Sequence, residues 1–250
     1  MGPLAVIIPE RLNSAEKITS TFKLGELFCG PGGLGLGAVQ AKAEKNGIVY
    51  NIEHEWASDY DSDSCKTYAC NINGHSQSVI CQDVRTFKIE NLPHIDAFAY
   101  GFPCNDFSLV GKQKGFDGKF GPLYTYGVKV LNYFKPKFFL AENVGGIASA
   151  NDGEAFKKIL FDLENAGFGY NLTAHLYKAE DYGIPQTRHR MIIVGIDKRL
   201  NLRFKVPATT TYEKHKTARE ALENTPILPH RSNQEFTRQS SLVVERLKHI

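Results

Sequence analysis

The run Phe22-Lys23-Leu24-Gly25-Glu26-Leu27-Phe28 opens directly into Cys29-Gly30-Pro31-Gly32-Gly33-Leu34-Gly35-Leu36-Gly37, and no other stretch restricts the fold as much. The run has strand composition. The segment that follows, Ala38-Val39-Gln40-Ala41-Lys42-Ala43-Glu44, has helix composition. Strand, Gly-rich turn and helix in that order form the ligand-binding unit of open α/β sheets, because glycine lets the chain turn tightly and lets a ligand approach the backbone. The literal dinucleotide pattern Gly30-x-Gly32-x-x-Gly35 is present, yet a packing turn, a nicotinamide site and a methyl-donor site all satisfy it.

Further strand-like runs each end on a residue that carries chemistry. Val49 to Ser58 ends at Asp59-Tyr60-Asp61. An acid there suits a ribose diol, and Tyr60 suits an adenine face, while Asp61, Ser62 and Asp63 suit a helix cap. Ser78-Val79-Ile80-Cys81 ends near Asp83, placed to accept from an adenine amino group. The run from Ile95 to Tyr100 ends in Gly101-Phe102-Pro103-Cys104-Asn105-Asp106-Phe107-Ser108. Pro103 stiffens that turn and presents Cys104 as a candidate nucleophile, against the alternative of an inert buried thiol. Phe138-Phe139-Leu140-Ala141 is apolar enough for a strand covered on both faces and ends in Glu142-Asn143-Val144. Gln186, Arg188 and Arg190 alternate ahead of the strand Met191–Ile196, so an extended backbone would bring two guanidiniums to one face, suited to an anion. Helices are expected over 63–71, 122–134, 152–166 and 218–224, with a strand over 170–178.

Composition narrows the class. The 250 residues carry a net charge of +3, which permits a polyanionic partner without requiring one. No apolar run approaches the roughly 20 residues of a membrane span, and Leu4–Ile8 is too short for a secretory core. The five cysteines include no C-x-x-C pair and no histidine stands at metal spacing, so the expectation is a cytoplasmic protein with no disulfide framework and no metal.

Five blocks, in order, resemble the cytosine-C5 DNA methyltransferases that use S-adenosylmethionine. They are Phe28–Gly33, Pro103-Cys104, Gly111-Lys112-Gln113-Lys114-Gly115-Phe116, Glu142-Asn143-Val144, and Tyr182–Pro185 with Gln186-x-Arg188-x-Arg190. The resemblance implies a doubly wound, mostly parallel sheet of the S-adenosylmethionine-dependent type with a final antiparallel strand. It also implies a bacterial, DNA-associated enzyme acting on double-stranded DNA, in a restriction-modification system. Cys104 matches the nucleophile that adds to cytosine C6, Glu142 the acid at N3, Arg188 the base-contacting arginine and Arg190 its partner. Phe28, Gly30, Pro31, Gly33, Asp59, Tyr60, Asp83, Val84, Pro103 and Leu123 match the cofactor wall, although Asp59 and Tyr60 stand where the family often has Glu and Trp. Ser108, Lys112, Gln113, Lys114 and Gln186 are expected at the DNA, the Gly111 loop closing over a flipped-out cytosine.

The family continues with a target-recognition domain and two further motifs that are not visible here. The expected organisation is therefore a catalytic, cofactor-binding domain over 1–200 and an extension over 201–250 leading toward recognition residues on a second chain. Some members of the family are split in this way, and a shortened single chain is the alternative. Competing functions are a nicotinamide-dependent oxidoreductase, a non-catalytic binding module and a tRNA cytosine methyltransferase.

Overall fold

The computed structural model describes residues 18–73, 76–103, 123–149, 153–224 and 240–248. These divide into two compact units, one within 18–178 and 188–209, the other within 179–187 and 210–248.

The first unit is built on an eight-stranded sheet. Its strands are β1 (Ile18–Leu27), β2 (Lys42–Lys45), β3 (Ile48–Asp59), β4 (Val79–Cys81), β5 (Ala97–Gly101), β6 (Phe138–Val144), β7 (Tyr170–Lys178) and β8 (His189–Asp197). Their order is β2-β3-β1-β5-β6-β8-β7, with β4 also pairing with β3. The pairs β1–β3, β1–β5, β3–β4 and β5–β6 are parallel, and β8 lies antiparallel between β6 and β7. This is the doubly wound arrangement with a final antiparallel strand that the sequence resemblance implies.

Helices α1 (Gly33–Gln40), α2 (Ser62–Tyr68), α3 (Tyr124–Phe134) and α4 (Glu154–Glu164) cover the two faces. On one face Leu27, Trp56, Phe98, Tyr100 and Phe139 pack with Val130 and Leu131 of α3 and Ile159 and Leu163 of α4. On the other, Leu24, Ala97 and Ala99 meet Leu34 and Ala38 of α1, while Ala57 and Val79 meet Cys65 and Tyr68 of α2. The near-continuous apolar composition of β5 and β6 follows from burial on both sides.

Two local readings of the sequence are corrected. The stretch 38–44, expected as helix, leaves the helix at Gln40, and Lys42–Lys45 forms β2 against β3. Asn46 and Gly47 both take positive φ, 53° and 74°, which closes a tight hairpin. The Asn-Gly pair overrides helix propensity because folding 42–45 back caps the edge of β3. The second correction concerns 186–190. Pro185 and Gln186 form a bend, with the Gln186 N–H donating to the Ile184 carbonyl at 2.8 Å, and extended pairing starts only at His189.

In the second unit, the Asp181 carbonyl accepts from the Thr210 and Thr211 N–H groups and its carboxylate pairs with His215 at 2.8 Å. Helix α5 (Ala218–Glu223) begins with a capping box between Thr217 and Glu220, and α6 spans Ser241–Leu247. No helix among the described residues is long and apolar enough to cross a membrane.

Candidate functional site

The C-terminal ends of β1, β3, β4, β5 and β6 converge on one edge of the sheet, the edge where open α/β folds bind ligands. A cavity of about 410 Å³ opens there. Its wall includes Leu27 and Phe28 at the end of β1, Ser58, Asp59 and Tyr60 at the end of β3, Gln82, Asp83, Val84 and Arg85 after β4, Gly101 and Pro103 at the end of β5, and Leu123 before α3. Seven of the ten residues expected at the cofactor thus stand on one wall: Phe28, Asp59, Tyr60, Asp83, Val84, Pro103 and Leu123. Gly30, Pro31 and Gly33 are not among the lining residues.

The Gly-rich turn is nonetheless tied to that wall. The Gly30 N–H donates to Asp59 Oδ2 at 2.9 Å, and the Cys29 N–H to the Ser58 carbonyl at 3.1 Å. Asp59 Oδ1 accepts from the Asp61 N–H at 3.0 Å, while Asp61 itself caps α2 by accepting from the Ser64 N–H at 2.8 Å. The residue expected to hold a ribose is therefore also a brace for the turn, a role that single-sequence reading had no means of assigning. Carboxylate oxygens have lone pairs to spare, so the two roles are compatible. Tyr60 is 79% exposed at the rim, presenting an open ring face. Asp83 accepts from the backbone and the guanidinium of Arg85, which holds its carboxyl down at about 2. It is ionised across the working range, an acceptor only. Arg85, on the wall, was not anticipated.

On the β5–β6 side, Gly101 pairs with Glu142 across the parallel ladder, and a Cβ on Gly101 would lie 3.3 Å from Glu142 Oε2. The missing side chain lets the carboxylate lie against the cavity wall. Its other oxygen, Oε1, is 2.7 Å from Arg190 Nε. Arg190 reaches it because β8 runs antiparallel, putting residue 190 opposite Val144 on the same face as Glu142. Arg190 Nη1 also donates to the His189 carbonyl. Glu142, Asn143 and Val144 belong to β6 itself and do not follow it. Asn143 is buried and points the other way. Its Nδ2 donates to the Phe102 carbonyl at 3.0 Å and its Oδ1 accepts from the Val144 N–H at 2.8 Å. Asn143 therefore anchors the backbone immediately before Pro103.

Arg188 is exposed just ahead of β8, and Gln186 is exposed in the bend. Cys104, Ser108, Lys112, Gln113 and Lys114 lie outside the described residues. The described residues contain no cluster of three or more metal-ligating side chains.

M.BbvI of Brevibacillus brevis, a Type II methyltransferase, is 53% identical over 237 residues, covering 92% of this chain and 63% of the relative. The chain thus spans less than two thirds of that protein. Among solved structures, a prophage-encoded candidate DNA modification methyltransferase of E. coli superposes with a TM-score of 0.62 at 25% identity, over 82% of this chain and 56% of that one. The S. pombe Dnmt2 methyltransferase shares the fold, with a TM-score of 0.54 at 17% identity, over 91% of this chain and 67% of that one. The model of the C-5 cytosine-specific DNA methylases matches residues 22–250, from the first strand through the second unit, and the chain belongs to that family.

Proposed function

We propose that this chain is the catalytic part of a Type II DNA cytosine-C5 methyltransferase, that it takes S-adenosylmethionine as methyl donor, and that it works with a second polypeptide supplying target recognition. The supporting observation is the single cavity wall that gathers Phe28, Asp59, Tyr60, Asp83, Val84, Pro103 and Leu123, with Glu142 against its Gly101 side. Its volume, about 410 Å³, is within the range of pockets that take cofactor-sized ligands. The mix of an exposed aromatic, apolar side chains and acids fits an adenosine. Asp59 would hold the ribose, Tyr60 the adenine face, Asp83 and Val84 its edge, and Phe28 the methionine part.

Cytosine C5 is a poor nucleophile, and its ring is covered while stacked, so the base must leave the duplex first. The Cys104 thiolate, having given up its proton, adds to C6. The electrons of the C5–C6 double bond shift toward N3, where Glu142 delivers a proton, leaving an enamine with a nucleophilic C5. S-adenosylmethionine supplies an electrophilic methyl on its sulfonium sulfur. After C5 is methylated, a base removes the C5 proton, the S–C6 bond breaks and the N3 proton returns to Glu142. The Arg190 Nε–H holds the Glu142 carboxyl by its Oε1 at the height of Gly101 through these steps, leaving Oε2 to carry the proton that is delivered and returned. Asn143 fixes the carbonyl before Pro103.

The test uses the chain together with the part of M.BbvI that the match leaves uncovered. Duplex DNA containing 5-fluorocytosine, with S-adenosylmethionine, is expected to yield a denaturant-resistant adduct that Cys104→Ala abolishes. An undiminished adduct in that variant, or preferential binding of a nicotinamide cofactor, removes the reading.

A further inference from the structure

Behind the Gly-rich turn, four polar side chains from four segments form one continuous hydrogen-bonded chain, buried at Glu26 and Tyr68 and half-buried at His54 and Ser78, and none of them lines the cavity. Glu26 of β1 is 1% exposed and Tyr68 at the end of α2 is 0% exposed. The Tyr68 hydroxyl donates to Glu26 Oε2 at 2.9 Å. The same hydroxyl lies 3.2 Å from His54 Nδ1 of β3, and His54 Nε2 lies 2.9 Å from Ser78 Oγ, just before β4. One proton order satisfies every link: Ser78 donates to Nε2, Nδ1–H to the phenol and the phenol to Glu26. Burial pushes the Glu26 carboxyl up to about 8, with Asp59 adding to the effect, and pushes the Tyr68 phenol up and His54 down. At neutral pH the chain is uncharged throughout.

An apolar core of the same shape would fold without the cost of burying a carboxyl. What distinguishes the position is the backbone above it. A Cβ at Gly35 would come under 3 Å from both the Tyr68 hydroxyl and Glu26 Oε2, and a Cβ at Gly32 would come within 3 Å of the Tyr68 ring. Gly32 has a φ of 100° and accepts the first α1 hydrogen bond, from Leu36, at 2.8 Å. The Tyr68 phenol therefore forms the floor under Gly35 and, together with the closer Ile72 side chain, the floor under Gly32, where the turn becomes a helix, and its position is tied to Glu26 by their hydrogen bond.

We propose that Glu26 and Tyr68 are positioning residues for the methyl donor: the carboxyl–phenol bond supports the Gly-rich turn from below and thereby holds Phe28, at the start of that turn, in its place on the cavity wall. This rests on the cofactor reading given above. The experiment is equilibrium dialysis of the full chain with radiolabelled S-adenosylmethionine at pH 7, alongside thermal unfolding of each variant.

Tyr68→Phe keeps the ring and loses the bond, and weakens binding about tenfold. Glu26→Gln keeps an acceptor for the phenol and stays within about twofold of the parent, whereas Glu26→Met, which has none, falls about tenfold. This split between Gln and Met gives the answer even where Tyr68→Phe fails to fold. Lowered Tm with unchanged affinity in the folded fraction, or equal affinities for the Gln and Met variants, overturns the inference while leaving the cofactor reading intact. Absence of binding by the parent chain overturns both.

Discussion

Replacing Glu26 by Gln removes a titration from the middle of the sheet without changing shape, and the consequence for stability has a definite sign. In the folded chain the carboxyl holds its proton up to about 8, whereas the unfolded chain releases it near the ordinary 4.5. Between those values the unfolded state binds fewer protons than the folded one, so stability falls as pH rises. Each tenfold difference in proton affinity is worth about 1.4 kcal/mol, which sets an upper limit of about 5 kcal/mol on the stability lost from pH 4.5 to 8. A side-chain amide cannot titrate in this range, so the loss is absent from the Glu26→Gln variant. Below pH 4.5 the two proteins should be closely matched. Across 5 to 8 the variant should become progressively the more stable, and above 8 the gap should stop growing. The single tryptophan, Trp56, is buried between the sheet and α3, so its fluorescence during urea unfolding reports the transition. Other titrating groups are common to both proteins and cancel in the difference. A gap that stays constant from pH 5 to 9, or one in which the parent gains on the variant, refutes the assignment of a buried, protonated Glu26.

Other outcomes follow from single contacts. Asn143→Ala strips the hydrogen bond from the Phe102 carbonyl; a buried unsatisfied group costs about 1–3 kcal/mol, and methyl transfer should fall by more than tenfold while S-adenosylmethionine affinity changes little, which a split between kcat and cofactor KM would show. Asp59→Ala removes the acceptor for the Gly30 and Asp61 N–H groups, so cofactor affinity measured by dialysis should drop by about two orders of magnitude, well beyond the effect of losing one ribose contact. Gly195→Ala would drive a Cβ into the Phe139 ring, an overpacking cost of about 1–3 kcal/mol that should appear as a lower urea midpoint with an unchanged slope.

Much of the sheet was legible because its strands are marked by composition. β7 runs from Tyr170 to Lys178, as its loose alternation predicts, and the apolar Phe138–Ala141 run forms most of β6. The acids at strand ends pointed to one edge because the C-terminal ends of parallel strands lie together along it. What stayed hidden depends on pairing partners far away in sequence. Nothing near Asp59 announces that it braces Gly30, 29 residues earlier. Asn143 stood in a recognised block, but its bond to the Phe102 carbonyl spans 41 residues. Glu26 did leave a local trace: an acid between Leu24-Gly25 and Leu27, at the end of β1 that is buried. Its partner, Tyr68, lies 42 residues on at the end of a helix, and only the fold brings the two together.

The Gly-rich turn is consequently held from two sides by two acids with different tasks. Asp59 grips the Gly30 N–H from the cavity, where a ligand can compete for or share its oxygens. Glu26 supports the start of α1 from the buried side, out of any ligand's reach. A turn fixed only from the cavity would relax whenever the site emptied, and each binding event would have to reorder it. A second, ligand-independent support keeps the glycines in their left-handed conformations between turnovers, which lowers the ordering cost of binding. The arrangement predicts an asymmetry: loss of Asp59 should weaken the cofactor's association and dissociation behaviour together, because contact and scaffold go at once. Loss of the Tyr68 hydroxyl should act chiefly by slowing association, because the empty turn must first regain its shape. Stopped-flow binding that showed equal association rates for the parent and Tyr68→Phe, with the whole difference in dissociation, would contradict preorganisation from the buried side.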